Sequence, residues 1–383
     1  MINWNGVSSD DLDIIIEKVP RQNHPSRKLD IVSIPGRNGD LVSSQHAWNN
    51  FEQDYEIFAG EDDGDAHPMF MDIMSWLASA EGYAPLVDDF EPQYYRMALF
   101  AGPFDVDFTL TRIGYAKITF NCRPQRYLID GSEYVTYYPV SNGGFNASGV
   151  NIDDAYTYRI EYMPVTPGTT FKASASYVDT SIHSEVLTVA FYNSSKTFLS
   201  AVASASGTSQ SIDTTVPNNA AYARVMYGAF MSTTKIALKL ENDGVKTTYG
   251  DGGPLLVNPT GYVSQPILSA QNAKLIQVQR LGANNNIVGD ITKVTVTDYS
   301  STNRTDCVID SVIGDAYSEE IFGMQAAIVN LNPYVTITEN SVLSDYPTLG
   351  AGANIINTAT NVDGTTATDC FSSIKIKTGW WRA

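Results

Sequence analysis

The strongest structural signal in the sequence is the stretch Gly114–Pro124, which reads GYAKITFNCRP. Its apolar residues fall at every second position and are Ala116, Ile118, Phe120 and Cys122. A period of two places these side chains on one face of an extended chain, so the stretch is predicted to be a half-buried β-strand. Pro124 is expected to end the strand, because proline has no backbone N–H to donate to a neighbouring strand.

Upstream of this strand the pattern indicates a mixed α+β segment. Asp13–Glu17 is a β-branched run before Pro20 and predicts a strand. Ile34–Leu41 contains Asn-Gly and predicts a hairpin turn. One helix is expected from an apolar stripe at helical spacing, formed by Phe70, Ile73, Met74 and Leu77. Asp65 could cap the start of that helix, and Gly82 lies just past its end.

Charge and composition divide the 383 residues into three segments. The formal net charge is −12 over residues 1–135, −1 over 136–250 and −5 over 251–383. The middle segment is also rich in Ser, Thr, Ala and Tyr, which suggests a separately acquired domain. Gly143-Gly144 and Gly250–Pro254 supply loop chemistry near its two ends. Three domains are therefore predicted, at 1–135, 136–250 and 251–383.

The second and third segments are predicted to be all-β. Leu187, Val189 and Phe191 alternate with smaller or polar residues before the turn Asn193–Lys196. Short strands separated by polar turns are typical of a β-sandwich. The last segment repeats the pattern in its three candidate strands, Val294–Thr297, Tyr334–Thr338 and Ile374–Lys377. The whole chain is therefore expected to be mainly β.

The net charge of −18 narrows the class of partner. A nucleic-acid partner is not expected, because phosphate backbones are bound by basic surfaces. An anionic membrane surface is disfavoured for the same reason, and no apolar stretch approaches the ~18 residues of a spanning helix. Met1–Gly6 has neither a basic start nor an apolar run, so no secretion signal is expected. The three cysteines are far apart, and reduced thiols and assembly in a cytoplasm are predicted.

Motifs for catalysis, cofactors and metals are missing from the sequence. The four histidines form no HExxH pair, and there is no GxSxG, GxxxxGK[ST] or GxGxxG motif. Glu61–Asp65 lacks the ligand spacing of a calcium loop and is interpreted as a solvated loop before a helix. Asp105 and Asp107 are interpreted as exposed strand charges, and His67 as a surface or capping residue. No enzyme activity, cofactor or metal is therefore predicted.

The first segment resembles the N-terminal domain of siphophage distal tail proteins. The resemblance is carried in order by Ile34–Gly39, Trp76-Leu77, Gly82 to Leu86, Asp88-Asp89, Tyr94–Arg96 and the strand Gly114–Pro124. The last segment resembles the galectin-like β-sandwich of the same family. Its marks are Asn258–Pro266, Cys307–Asp310, Asn330–Asn332, Tyr346–Leu349, Gly352–Asn354, Ile374–Lys377 and Trp380-Trp381. The two matches cover roughly two thirds of the chain in family order.

The middle segment departs from the short form of that family. It resembles the jelly-roll carbohydrate-binding modules of enlarged phage tail proteins and glycoside hydrolases, through Val165–Phe171, Val189–Asn193 and Val216–Val225. An insertion at a surface loop is tolerated when both of its ends lie close together.

The family resemblance implies a structural role in a virion. The N-terminal domains would form a hexameric ring, by sheet extension and contacts at a protruding belt, that joins the tail tube protein to the tail-associated hub protein. The galectin-like domains would surround it and could hold receptor-binding proteins. The chain is thus expected at the tail tip or baseplate of a bacteriophage, assembled in the host cytoplasm. The inserted domain is expected to bind host cell-wall saccharide during adsorption.

Four tyrosines of the middle segment are candidates for stacking on sugar rings, namely Tyr177, Tyr192, Tyr222 and Tyr227. For each the alternative is ordinary packing in a core or on a sheet face, because tyrosine is a favoured strand residue. Two other functions stay open. The chain could be a secreted carbohydrate-binding accessory protein of a glycoside hydrolase system, or a pure scaffold whose inserted domain binds nothing.

Overall fold

The structure, a computed structural model, describes residues 1–20, 23–36, 38–60, 64–109, 111–153, 157–176, 187–205, 207, 209–228, 238–250, 252–281, 291–297, 306–312, 315–322, 325–330, 335–339, 342–343, 346–357 and 371–382. The chain divides into two compact units, Met1–Asp130 with Trp381–Ala383, and Gly131–Trp380. Strands dominate both units, so the mainly β fold is confirmed. The finer division into three domains stays a prediction.

The first unit is built around one sheet. Its elements are β1 (Ile2–Trp4), β2 (Val7–Ser8), a 3₁₀-helix (Ser9–Leu12), β3 (Ile15–Ile16), β4 (Arg27–Val32), β5 (Leu41–Trp48), β6 (Phe51–Gly60), α1 (His67–Leu77), β7 (Ala84–Asp88), β8 (Tyr94–Phe100), β9 (Val106–Thr109) and β10 (Ile113–Leu128). The sheet runs in the order β2-β1-β7-β8-β10-β6-β3, and β9 and Trp381–Arg382 also pair with β10. β4 and β5 form a separate antiparallel hairpin.

The predicted strand Gly114–Pro124 is the centre of this sheet. Ile118, Phe120 and Cys122 are fully buried, as the alternation requires. The strand does not end at Pro124, however, because β10 continues to Leu128. Its register against β8 shifts between Cys122 and Arg126, so the proline lies at an irregularity where a ladder hydrogen bond is not needed.

The helix α1 packs one side on the sheet. Phe70, Ile73 and Leu77 are buried as predicted, but Met74 is 40% exposed, and Trp76 is buried instead. Gly114 allows close approach, because a Cβ at this position would lie 2.4 Å from Cε2 of Phe70. Phe70 therefore contacts the sheet where β10 carries no side chain.

Two further predictions for the first unit need adjustment. The strand expected at Asp13–Glu17 is only Ile15–Ile16, because Asp13 takes a left-handed conformation with φ 51° that ends the preceding 3₁₀-helix. The predicted hairpin is present between β4 and β5. Its paired ends are Val32 and Leu41, so the connection spans residues 33–40 and is longer than a two-residue Asn-Gly turn.

The second unit contains the remaining sheets. Its strands are β11 (Val135–Tyr137), β12 (Val140–Asn142), β13 (Gly144–Phe145), β14 (Asn151–Ile152), β15 (Thr157–Pro164), β16 (Thr170–Ser176), β17 (Thr188–Tyr192), β18 (Phe198–Ala203), β19 (Ser209–Thr215), β20 (Tyr222–Gly228), β21 (Leu238–Asn242), β22 (Val245–Gly250), β23 (Gly253–Asn258), β24 (Ile267–Gln271), β25 (Leu275–Arg280), β26 (Thr292–Val296), β27 (Cys307–Asp310), β28 (Asp315–Phe322), β29 (Gln325–Asn330), β30 (Val335–Glu339), β31 (Val342–Leu343), β32 (Gly352–Asn357) and β33 (Ser373–Lys377). The strand Trp381–Arg382 of the first unit is β34.

Residues 138–250 build a β-sandwich. One layer is the five-stranded sheet β12-β15-β20-β17-β18, and the other is the run β19-β16-β21-β22. The aromatic rings of Phe171 and Phe191 meet edge to face between them, with centroids 6.2 Å apart. Val189 and Val225 are fully buried in the same core. The predicted all-β character of this segment is therefore confirmed.

The run β19-β16-β21-β22 continues without a break into the strands that follow it in sequence. Tyr249 pairs with Pro254 and Gly250 pairs with Gly253, so β22 and β23 are neighbouring antiparallel strands. This makes one ten-stranded sheet, β19-β16-β21-β22-β23-β32-β25-β26-β30-β31. The expected loop at Gly250–Pro254 is thus a hairpin inside a sheet rather than a linker.

The start of the sandwich lies next to its end. β11 belongs to the six-stranded sheet β11-β33-β24-β27-β28-β29, whereas β12 already belongs to the five-stranded sheet. The backbone N–H of Tyr138 donates to Oη of Tyr249 at 3.1 Å. The entry and exit of the segment are therefore adjacent, which is the geometry that an inserted domain needs.

Candidate functional site

The β4–β5 hairpin exposes a large share of apolar surface. Every residue of β4 is exposed. Leu29 and Ile31 share one face of the ribbon, and Val42 lies opposite Ile31. The three side chains are 43%, 61% and 55% exposed. A two-stranded ribbon is marginally stable alone in water, so this apolar face is suited to contact with another protein surface.

Further apolar side chains lie at the tip of the hairpin. Val32 and Leu41 form the last pair and are 53% and 50% exposed. Ile34 follows in the connecting loop and is 36% exposed. The sequence predicted the hairpin at this position but gave no indication of the exposure, because alternation alone does not tell which face of a ribbon is covered.

Two of the four predicted saccharide-binding tyrosines are core residues. Tyr192 is 2% exposed, and its hydroxyl donates to the carbonyl of Gly149 at 3.1 Å. Tyr227 is 1% exposed, and its hydroxyl donates to the carbonyl of Gly250 at 3.1 Å. Burial raises the pKa of the Tyr192 phenol. Both tyrosines therefore pack in the way described by the alternative interpretation, as residues of a core or a covered sheet face. Neither presents an aromatic face to solvent in this conformation.

The other two predicted tyrosines differ. Tyr177 lies outside the described residues. Tyr222 is half-buried and meets the ring of Tyr162 edge to face, with centroids 6.1 Å apart. Lys196 holds its Nζ 4.6 Å from the centroid of Tyr162 and 5.9 Å from that of Tyr222. A cation therefore lies over this tyrosine pair at the surface.

The sequence missed a buried arginine beneath these aromatic rings. Arg224 is 1% exposed and lies opposite Ala190 in the five-stranded sheet. Its Nη2 donates to Oε2 of Glu161 at 3.2 Å and to Oδ1 of Asn151 at 2.8 Å. Its Cζ is 4.8 Å from the ring centroid of Tyr162. The stretch around Arg224, YARVMYG, has the pattern of an ordinary strand. The only sequence signal is that the charged residue falls at a position that faces away from the sandwich core.

The acidic candidates of the first unit behave as surface groups. Asp105 and Asp107 are exposed, as predicted. Oδ1 of Asp65 accepts from the backbone N–H of His67 at 3.1 Å and lies 2.6 Å from Nδ1 of the same histidine. The His67 hydrogen bonds hold the pKa of the Asp65 carboxyl below its usual range. The helix begins at His67 with Ala66 as its N-cap and no side-chain cap bond, so neither Asp65 nor His67 is the cap residue. His67 is the predicted surface residue, 55% exposed, and its ring stacks on Phe108 with centroids 4.1 Å apart.

Within the described ranges, no group of three or more His, Cys, Asp or Glu side chains is placed to hold a metal ion. Glu61, Asp62 and Asp63 of the predicted solvated loop lie outside those ranges. Cys122 and Cys307 are buried free thiols, and burial raises the pKa of each to about 12. Such thiols are unreactive at neutral pH. No helix in the described part of the chain is long and apolar enough to cross a membrane.

No protein-family model matches the chain, and no curated protein matches it significantly. Among solved structures it is similar to the SPP1 Dit (gp 19.1) protein, described as a paradigm of the hub adsorption apparatus of phages infecting Gram-positive bacteria. The identity is 10% and the TM-score 0.43, over 98% of this chain and 96% of that one. It is also similar to chains of the phage P2 baseplate in its activated conformation. For the baseplate structure with Ca, the identity is 11% and the TM-score 0.36, over 95% of this chain and 90% of that one. For the structure with Sr, the identity is 13% and the TM-score 0.36, over 97% of this chain and 91% of that one.

Proposed function

We propose that this chain is a structural protein of a bacteriophage tail tip, whose first unit assembles into a hexameric ring. The observation that carries the proposal is the exposed apolar β4–β5 hairpin. A projecting ribbon of this kind is stable when its apolar face is covered. A second copy of the chain would cover this apolar face.

Two features favour a second copy as the partner. The hairpin loop contains Ile34–Gly39, which is among the marks that resemble siphophage distal tail proteins. At one edge of the first unit's sheet, β3 pairs with only Ile57 and Phe58 of the ten-residue β6, so in the described part of the chain most of that edge has no partner strand and can accept one from a second copy. A contact between a hairpin of one copy and a different surface of the next is heterologous. Repeated around a rotation axis, such a contact closes into a ring.

The proposed place of the protein is the tail tip or baseplate of the virion, after assembly in the host cytoplasm. There the ring would join the tail tube protein to the tail-associated hub protein, with a receptor-binding protein as a possible further partner. The role is structural and not catalytic, and it needs no cofactor. The absence of cofactor and catalytic motifs from the sequence favours this class.

Residues 136–250 are proposed to be an inserted domain that binds host cell-wall saccharide. Its two sheets pack Phe171 against Phe191, and its entry at Tyr138 is bonded to its exit at Tyr249. Its net charge of −1 suits a neutral glycan better than a strongly charged one. A pure scaffold would carry the same sandwich without a ligand.

The oligomeric state of the purified full-length chain tests the assembly. Light scattering behind a sizing column is expected to give six times the 41.8-kDa chain mass, with hexameric rings visible by negative-stain electron microscopy. A strict monomer at every concentration would contradict the ring and favour a carbohydrate-binding accessory protein of a glycoside hydrolase system. A ring that binds no saccharide would leave the pure scaffold.

A further inference from the structure

A cleft of about 350 Å³ lies in the second unit beside the strand that leads into residues 138–250. This volume is at the lower end of the range for small-molecule sites. Its lining includes aromatic and polar side chains from three parts of the unit, namely Tyr134, Tyr138, Thr166, Asn242, Asp243 and Tyr249. None of these residues was selected from the sequence.

The aromatic wall of the cleft is held in place by Tyr249. The Tyr249 side chain is fully buried, and its hydroxyl accepts the backbone N–H of Tyr138 at 3.1 Å. The ring of Tyr137 packs against it edge to face, with centroids 5.6 Å apart. Tyr134 lies at the mouth and is 46% exposed. The wall therefore combines a fixed aromatic floor with a tyrosine that a ligand can reach.

The polar wall is built by the turn between β21 and β22. Asn242 pairs with Val245, and the two residues between them, Asp243 and Gly244, have φ of 50° and 79°. Positive φ at both positions is the type I′ hairpin turn that Asp-Gly favours. Thr166 donates from its hydroxyl to Oδ2 of Asp243 at 3.3 Å. This turn fixes two side chains with acceptor oxygens at the edge of the cleft.

Asn242 carries an unused acceptor. Its Nδ2 donates to the carbonyl of Pro164 at 2.9 Å, which fixes the orientation of the amide. Its Oδ1 is buried and makes no hydrogen bond in the structure. A buried acceptor without a donor is costly, and this one belongs to a residue that lines the cleft.

The charge of the lining selects among saccharides. Asp243 is the one charged residue among the lining side chains, all of which the structure describes. With no lysine or arginine in the wall, a phosphate or carboxylate group would meet a like charge and no counter-ion. Aromatic faces beside amide and carboxylate acceptors suit the C–H faces and hydroxyl groups of a neutral sugar.

We propose that this cleft is the saccharide site, and that it takes a short segment of a neutral glycan. This inference rests on the proposed saccharide-binding function and gives it a location. The rival location is the surface pair Tyr162 and Tyr222. The Tyr162 ring already has the cations of Arg224 and Lys196 within 5 Å of its centroid. Tyr134 is exposed at the mouth of the cleft, so the cleft is the favoured location.

The test measures binding of four neutral probes to the full-length chain by isothermal titration calorimetry: maltotetraose, cellotetraose, N-acetylchitotetraose and mannotetraose. At least one is expected to bind. Tyr134→Ala is expected to weaken that binding about tenfold by removing an aromatic contact. Asp243→Asn keeps a residue suited to the turn and is expected to weaken it less. Tyr115→Ala is the matched control, because Tyr115 is 41% exposed and lies in the first unit.

Three results would overturn the inference in different ways. Binding that is lost in Tyr222→Ala and kept in Tyr134→Ala would move the site to the rival face and leave saccharide binding intact. No binding of any of the four probes would remove the saccharide role, while a hexamer by light scattering would still support the tail-tip assembly. A heparin-derived tetrasaccharide that binds at Tyr134 as tightly as the neutral probes would contradict the neutral class.

Discussion

The β4–β5 hairpin and the sandwich of residues 138–250 are stabilised in different ways. Leu29, Ile31 and Val42 of the hairpin are all more than 40% exposed. In the sandwich, by contrast, Phe171 and Phe191 are at most 1% exposed between two sheets. Apolar burial contributes about 25 cal/mol per Å². The sandwich gains this within one chain, whereas the hairpin would gain it from the second copy that we propose as its partner.

In the proposed function, the hairpin supplies the surface for assembly and the segment that contains the sandwich supplies the surface for a ligand. An exposed apolar ribbon promotes aggregation of a monomer, whereas in an oligomer it can form a contact between copies. A closed sandwich with adjacent ends can fold as part of any protein that offers it a loop. The proposed assembly therefore depends on the hairpin, whereas the sandwich buries its core residues without another copy.

Charging the apolar face of the hairpin should give the largest effect. Ile31→Glu with Val42→Glu is expected to convert the hexamer to monomer, because each contact would then bury an unpaired carboxylate. The melting temperature of the monomer should hardly change, since both side chains are more than half exposed. Light scattering and calorimetry measure the two quantities.

A matched charge elsewhere separates this effect from a general one. Val257 is 57% exposed in the second unit, so Val257→Glu adds a charge at similar exposure and should leave the hexamer intact. A hexamer that survives Ile31→Glu with Val42→Glu would rule out the hairpin face as the contact between copies.

Removing the buried arginine should destabilise the sandwich. Arg224→Met is expected to lower the free energy of unfolding of the second unit by about 3 kcal/mol, because Glu161 loses a buried partner. Lys172→Met is the control, since Lys172 and Glu241 form an exposed pair at 3.7 Å worth less than about 1 kcal/mol. Urea denaturation compares them. Equal losses for the two variants would mean that the burial of Arg224 has no energetic consequence.

Filling the glycine under α1 should destabilise the first unit. Gly114→Ala would bring a methyl group within 2.4 Å of the Phe70 ring, so the ring or the backbone around it must shift. The expected loss is about 2 kcal/mol, as for other overpacked cores. Adding Phe70→Leu to Gly114→Ala removes the contact with the Phe70 ring and leaves the one with Cγ1 of Val106 at 2.9 Å, so it should recover part of that loss in the same urea titration. No difference between the single and double variants would show that the two positions are not coupled.

Local alternation in the sequence was sufficient to identify strands, and β10 and β17 show why. Ile118, Phe120 and Cys122 face one core, so their period of two survives in the sequence. In β17 four successive residues, Val189–Tyr192, are buried, because the outer face of that sheet is also covered. The sequence therefore identified the strand but did not show that both of its faces are covered, and Tyr192 lies on the covered outer face.

The candidate sites were harder to predict because they depend on contacts between distant segments. The cleft brings Tyr134 of the entry region next to the Asn242-Asp243 turn. No local pattern connects residues so far apart along the chain. The Asp-Gly dipeptide predicts a turn, but which side chains meet at its edge follows only from the pairing of β21 with β22.

The smallest expected effect concerns the turn that the sequence predicted at Asn193–Lys196. Oδ1 of Asn193 accepts the backbone N–H groups of Ser195 and Thr197 at 3.0 and 2.9 Å, and Lys196 adopts φ 58°. Asn193→Ala removes both bonds at an exposed turn, so the second unit should lose about 1 kcal/mol. Asn193→Asp keeps an acceptor oxygen and should lose less. This turn also holds Lys196 over the ring of Tyr162. If Asn193→Ala lowered the free energy of unfolding as much as Arg224→Met, the residues that cover the outer face of the five-stranded sheet would unfold together with the core beneath them.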